Sequence, residues 1–432
     1  MRTFYPFPVK EIEAFKQQLL QLSNTTDHFC YLDSNNYPNY PYSTFGSFFA
    51  IDAIDVFSVE INCLQEFQKF QAKQEDWMFG FLNYDLKNEV EPTLNSNNFD
   101  GIQNPLLHFF VPKYLVKIEN DDVEIGVRTE KDLNKFKELV HSPKSKVHSN
   151  KFKIENLKFK INNRIPKQDY ISSVEKIKEH IQRGDIYELN FCQEFYGENV
   201  TIDPLNVFKK LNNLSKAPFT SFFKNESNYL LCASPERFLK RFHNKLISQP
   251  IKGTRKRISD DQQDKHIQKE LYLDEKERSE NIMIVDLVRN DLSKIALKNS
   301  VRVEELFGIY TFEQVHQMIS TIICSIESHT PFTAIIKDVF PMGSMTGAPK
   351  IAAMQLIEKF EKTKRGLYSG AVGYITPKGN FDFNVVIRSI LYNKDQKYIS
   401  LQAGSAITID CDAEKEYEEC LLKAKAMMLA LE

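Results

Sequence analysis

The sequence predicts an α+β fold dominated by antiparallel sheet, and three observations carry that reading. Near the C-terminus, "LYSGAVGYIT", "FDFNVVIRSILY" and "KYISLQAGSAI" are strand-like runs, the first two joined by "PKGN", a good hairpin turn. Elsewhere, apolar residues recur at helical spacing. Strands and helices are mixed without a regular βαβ alternation, the pattern of an α+β architecture.

Bulk properties bound the function. A chain of 432 residues is long enough for two or three domains or one large one. Its 58 acidic and 56 basic residues leave a formal charge of −2, so no global field favours nucleic acid or a membrane surface, and any anion site must be local. No apolar run approaches the roughly 18 residues of a membrane helix, and "MRTFYPFPVKEIEAF" has acids where a signal peptide would carry its apolar core. A cytoplasmic protein is expected. Cys30, Cys63, Cys192, Cys232, Cys324, Cys411 and Cys420 contain no C-x-x-C pair, which argues against a disulfide framework and a zinc knuckle and for reduced, mostly buried thiols.

Along the chain, the first 110 residues show weak periodicity, and "YLDSNNYPNYPYSTFG" reads as irregular. Between Lys131 and Lys167 the composition turns Lys-rich, a solvated connection with a boundary at Pro143 to Ser149. The expected organisation is an N-terminal region 1–145, a connecting segment 146–164 and a catalytic region 165–432. Ile171, Val174, Ile177 and Ile181 with Gly184 beyond them predict a helix over 168–183. In "YELNFCQEF", Tyr187, Leu189, Phe191 and Phe195 alternate with polar residues, which predicts a strand with one buried face.

Five segments could carry chemistry. "DEKERSENIMIVDLVRNDLSKIA" reads as a helix with Glu277 and Glu280 on one face, and the last helix repeats the device with Glu416 and Glu419. Four carboxylates from two helices could hold Mg²⁺, although an isolated E-x-x-E pair is ordinarily a solvated face and spacing does not show that the helices meet. "FPMGSMTGAPKIAAMQLIEKF" puts Ser344 and Thr346 ahead of a helix whose Pro349 suits the first turn. It is either an anion cradle of unpaired N–H groups or a tight turn capping the helix. Glu236 follows a strand, "YLLCAS", and a proline; it is a candidate general acid or a surface salt-bridge partner. Lys252 in "SQPIKGTRKR" is a surface charge or a nucleophile.

Taken together, "GDIYELNF", "SPERF", "PIKGTR", "ERSENIMIVDLVRNDL", "FPMGSMTGAPK", "YSGAVGYI", "FNVVIRS" and "EKEYEECLLKAKA" resemble, in order, the motifs of the chorismate-utilising enzymes over about residues 165 to 430. The resemblance implies two large antiparallel sheets packed as a sandwich with flanking helices, and a Mg²⁺ that holds the ring carboxylate of chorismate. It puts Glu277, Glu280, Glu416 and Glu419 on the metal-site positions and Glu236 on the position that protonates the departing C4 hydroxyl. Gly253, Thr254, Ser344, Tyr368, Arg388, Gly404 and Lys423 fall on substrate positions. "PIKGT" resembles the aminodeoxychorismate synthases, where anthranilate synthases resemble "PIAGT". That implies Lys252 as a nucleophile toward C2, with a pKa lowered by Mg²⁺ and Arg388.

Three positions depart from the family pattern. Gln317 stands where relatives carry a histidine, so a proton relay there would need His316. Ala406 replaces a glycine and crowds a backbone contact. Glu188 replaces the lysine of water-adding relatives, which argues against isochorismate or salicylate synthesis. The implied function is aminodeoxychorismate synthase component I, supplied with ammonia or glutamine nitrogen by a separate glutaminase subunit. Anthranilate synthase component I is the alternative, and a non-catalytic chorismate-binding regulatory subunit is disfavoured by Glu236, Lys252 and the four glutamates.

Overall fold

The computed structural model describes residues 1–37, 40–43, 46–141 and 160–432. The boundary expected at Pro143 to Ser149, and most of segment 146–164, lie outside the described residues. No helix among them is long and apolar enough to cross a membrane.

Twenty described strands form one antiparallel hydrogen-bonded network bent into two sheets. In the first, His28–Asp33 pairs with Phe219–Asn225, which continues through Asn228–Ser234, Ser389–Asn393 and Tyr398–Ile407 to Glu188–Gly197. In the second, Met78–Leu82 leads through Ala371–Ile375, Phe381–Asn384, Arg237–Phe242 and Lys245–Gln249 to Val315–Ser325. The long strands Ser47–Val59 and Leu107–Glu119 join the sheets, pairing with His28–Asp33 on one side and Met78–Leu82 on the other. Strands from the first 141 residues thus sit in both sheets beside strands from beyond residue 165. The expected α+β sandwich is observed.

Alternate residues of the strands feed two different cores, as a period of two requires. Leu230 and Cys232 point to the core that includes Phe81, Phe109 and Phe383 between the sheets. Leu231 and Ala233 point to the one formed with Val174, Leu211 and Ala424 of flanking helices. This arrangement corrects the expectation of one buried face for "YELNFCQEF". Glu188, Cys192 and Glu194 are as buried as Leu189 and Phe191, because the strand has packed layers on both sides, and only Tyr187 before it is exposed. The helix expected over 168–183 runs Lys167–Gln182, with Gly184 at φ +83° just past it. The "PKGN" hairpin forms between Ala371–Ile375 and Phe381–Asn384. All seven thiols are free and buried.

The chain changes sheets at two neighbouring points. It leaves Asn228–Ser234 through Pro235 and Glu236 to enter Arg237–Phe242, and returns from Phe381–Asn384 through Val385–Arg388 to Ser389–Asn393. The crossings are bonded to each other, Val385 N–H to the Glu236 carbonyl at 3.0 Å and Ala233 N–H to the Arg388 carbonyl at 3.1 Å. Beside them, Arg237 forms a two-pronged pair with Asp382 at 2.9 and 3.1 Å and donates to the carbonyls of Pro41 and Tyr42 in the irregular N-terminal stretch. Removing one partner of a buried pair strands the other charge. Arg237→Met is therefore expected to lower unfolding free energy by about 3 kcal/mol, read from denaturant melts. A loss below ~1 kcal/mol would show that Lys240, 3.5 Å from Asp382, suffices alone.

Candidate active site

The first crossing buries Glu236. Its side chain has left the strand ladder, stands 5% exposed, and accepts a 2.6 Å hydrogen bond from Ser344 Oγ. Burial pushes its carboxyl up to about 7, with the Ser344 bond and the charge of Lys252 pulling partly back. Glu236 is therefore not a surface salt-bridge partner.

Lys252 is aimed by a bulge. After Pro250 the edge strand Ile251–Lys256 pairs with Val315–Ser325, and its register slips between Ile251 and Thr254. Gly253 sits in that slip at φ +96°, a conformation that glycine adopts without strain, and a Cβ there would meet Leu271, Glu277 and Met318. Lys252 Nζ donates to Glu188 Oε1 at 2.8 Å and lies 3.7 Å from Glu280. Thr254, beyond the slip, is exposed. The lowered Lys252 pKa that the resemblance implies rests on Mg²⁺ and Arg388, and the chain's own carboxylates act the other way. Burial does press the ammonium toward neutrality, but Glu188, Glu280 and Glu419 outweigh it and hold the group above its ordinary range.

The two glutamate pairs come from helices Glu275–Ser293 and Ala413–Leu431. Asp274 caps the first helix by accepting from Glu277 N–H, and Arg255 pairs with the Glu277 carboxylate at 3.0 Å. Burial raises the Glu280 carboxyl; burial and then Glu419 raise that of Glu416. Burial also presses on Glu419, but Lys423, 2.6 Å away, holds it below the usual carboxylate range. Lys276 feels the charge of all four carboxylates, Glu280 most strongly. Among the described residues, no three acidic, histidine or cysteine groups stand close enough to hold a metal ion as they are.

The other positions that the resemblance implies for substrate are linked to one another. Arg388 ends the second crossing in left-handed backbone, φ +52°, and donates to the Lys423 carbonyl at 3.4 Å. Lys423 Nζ donates to the Gly404 carbonyl at 2.9 Å. A Cβ at Gly404 would stand 2.3 Å from Cys192 Sγ, so that position excludes any side chain. Tyr368 is buried, its hydroxyl 3.8 Å from the same sulfur. Ala406 pairs with Asn190 on the neighbouring strand.

Two expectations change. The Ser344 loop has the tight turns of the second reading: the N–H groups of Met345 and Thr346 close turns within it, and Gly347–Ala348 pairs with Glu188–Leu189. Pro349 precedes the helix Lys350–Phe360 as its cap rather than entering its first turn. What the loop offers is the Ser344 hydroxyl. His316 does not take over for Gln317 either, since it is fully buried between Asp264 at 2.9 Å and Thr311 at 3.0 Å.

Sequence reasoning gave no constructive role to Glu188, Asn190, Glu361 or Arg365. Glu188 is 2% exposed, with one oxygen on Lys252 and the other buried without a hydrogen-bond partner. The signal available was its place in "GDIYELNF", directly opposite the glycine loop that the resemblance had already marked.

A buried carboxyl, an amine held among carboxylates and an arginine belong to a class of site suited to acid–base and amine chemistry. Comparison with known proteins makes that class particular: residues 27–429 match the family described as chorismate binding enzyme, and the chain belongs to that family. It is 36% identical over 266 residues to anthranilate synthase component 1 of Aquifex aeolicus, covering 62% of this chain and 53% of that protein. With aminodeoxychorismate synthase component 1 of Escherichia coli it shares 34% over 270 residues, 62% and 59% of the two chains. The Bacillus subtilis protein of that name is 29% identical over 384 residues, 87% and 80%. The matched stretch thus spans little more than half the length of the first two relatives. Crystallised anthranilate synthase component I from Streptococcus pneumoniae superposes with a TM-score of 0.78 at 25% identity, covering 90% of this chain and 93% of that one.

The acid makes a prediction that needs no substrate. Because Glu236 binds its proton more tightly folded than unfolded, its contribution to stability is full below the unfolded pKa and is lost as pH rises through about 7. Glu236→Gln should be more stable than wild type at pH 8, by up to about 3 kcal/mol, and no more stable at pH 4. Paired thermal melts across pH check this, and a difference that does not vary with pH contradicts it.

Proposed function

We propose that this chain is an aminodeoxychorismate synthase component I, which converts chorismate and ammonia to 4-amino-4-deoxychorismate. The observation that carries the reading is Lys252, a half-buried amine whose charge bears on a buried carboxyl that keeps its proton near neutral pH. In this reading Lys252 Nζ adds to C2 of the ring while the C4–O bond breaks. Glu236, held by Ser344, gives its proton to the departing oxygen, which leaves as water. Ammonia then adds at C4 and expels the lysine. Before it can attack, the ammonium must lose a proton, and Glu188, in contact at 2.8 Å, is the base in place to take it. Arg388 and Lys423 supply positive charge for the substrate's carboxylates.

Glu277, Glu280, Glu416 and Glu419 would hold Mg²⁺. The donor set fits in kind, being all carboxylate oxygen, and in electrostatics, since burial disfavours the charges of Glu280 and Glu416 unless a cation joins them. The bound ion would neutralise this cluster and receive the ring carboxylate. Glu419→Ala is expected to abolish turnover and weaken chorismate binding while leaving the melt cooperative, and excess EDTA should do the same to the wild type. Normal turnover in EDTA would remove the metal from the account.

The name "component 1" borne by the relatives supports a nitrogen-supplying partner, here a separate glutaminase subunit. Anthranilate synthase component I is the second reading, favoured by the 36% identity to the Aquifex protein. Incubating the chain with chorismate, Mg²⁺ and either ammonium or glutamine, followed by mass spectrometry of the product, separates them. Aminodeoxychorismate is expected with ammonium and no product with glutamine alone. Lys252→Ala should lower the rate on the order of 10²-fold, and Lys252→Arg should not restore it because guanidinium stays protonated. Anthranilate and pyruvate as products would overturn the reading.

A further inference from the structure

Arg365 is among the most buried cations of the fold, 1% exposed, and its guanidinium bonds to Glu361, Met345, Ser369 and Asn190, none of them a proposed substrate-binding residue. Its guanidinium uses every donor. Nε and Nη2 grip both oxygens of Glu361 at 3.0 and 2.7 Å, Nη1 reaches the Met345 carbonyl at 2.5 Å and Ser369 Oγ at 3.4 Å, and Nη2 also reaches the Asn190 carbonyl at 2.8 Å. Glu361, 3% exposed, accepts in turn from Cys192 N–H at 2.9 Å. The Tyr84 ring covers the guanidinium at 4.6 Å.

The segments so joined are informative. Met345 follows Ser344, the residue that holds Glu236. Asn190 and Cys192 belong to the strand that carries Glu188, the partner of Lys252, and Asn190 Nδ2 also donates to the Ser344 carbonyl at 3.2 Å. A single buried pair therefore spans the loop behind the acid and the strand behind the amine. A fully buried ion pair is weak as a source of stability, since desolvation offsets most of its attraction. Its rigid fork is well suited to fixing geometry.

We infer that the Arg365–Glu361 pair is a positioning device that sets the Ser344 loop against the Glu188 strand and, through Ser344, fixes the carboxyl of Glu236. The inference rests on the proposed role of Glu236 as acid, yet it has a readout that requires no turnover. The groups bearing on Glu236 are Ser344, the Ile251 N–H, Lys252 and Tyr40, with Arg237 and Asp291 lining the same small cavity. Of these, only Ser344 is attached to a segment that Arg365 holds by a direct bond.

Arg365→Lys keeps the charge but loses the fork. The test compares the pH dependence of thermal melting of this variant and of wild type, each against its own Glu236→Gln derivative. The midpoint of the difference is expected to move to higher pH in Arg365→Lys, because the Ser344 bond that favours ionised Glu236 is lost. Ser344→Ala should move it equally, and the double variant should move it no further. Where chorismate turnover is measured, kcat should fall about tenfold with KM for chorismate little changed. If Arg365→Lys does not fold, the Arg365→Met, Glu361→Gln pair leaves no stranded charge and is read the same way. A lower melting temperature with an unmoved midpoint, or shifts that add in the double variant, would reduce the pair to a structural one and overturn the inference. Absence of chorismate turnover in wild type would instead count against the proposed function and leave the melting result intact.

Discussion

The site exists because the chain changes sheets twice at one place. Ser234 to Arg237 leaves the first sheet, Asn384 to Ser389 returns to it, and main-chain bonds between Val385 and Glu236 and between Ala233 and Arg388 lock the crossings together. A residue inside a regular strand has its backbone polar groups committed to the ladder and its side chain fixed to one of two faces. At a crossing that constraint is relaxed, and a carboxyl such as that of Glu236 can be turned into the interior. Arg388 in left-handed backbone and Lys252 beside the glycine bulge are the same device at nearby points, local irregularity held by a rigid frame.

Electrostatics follows from that placement. The fold collects more negative than positive charge around Lys252, so the amine is held as ammonium while the more isolated Glu236 is held as acid. Both states suit a site whose partners arrive with the substrate. The orphaned oxygen of Glu188 and the raised carboxyls of Glu280 and Glu416 are unfavourable in folding terms, and such local conflicts are expected to concentrate at functional sites.

Much of the frame was legible in sequence, where periodicity reports a local constraint. The 168–183 helix, the "PKGN" hairpin and the carboxylate helices follow from spacing and caps that a short window contains. The two buried faces of the Glu188 strand were not legible, because Glu188, Cys192 and Glu194 look like a solvated face until partners distant in sequence cover them. The same limit hid Arg365, whose five donors find acceptors on segments up to 175 residues away. That Glu188 and Glu280 stand beside Lys252 was not legible either, since which charge lies nearest is a matter of tertiary structure. Spacing alone likewise could not show that all four glutamates bear on one lysine, Lys276.

The central claim is that Lys252 forms a bond to the substrate ring. Its most direct test is a stalled reaction, in which the purified chain is mixed with chorismate and Mg²⁺ in ammonia-free buffer, quenched, and mapped by peptide mass spectrometry. The account predicts a chorismate-derived adduct, less the mass of water, on the peptide containing Lys252, and its loss when ammonium is added before the quench. An unmodified Lys252 peptide from enzyme that turns over normally once ammonium is supplied would contradict it.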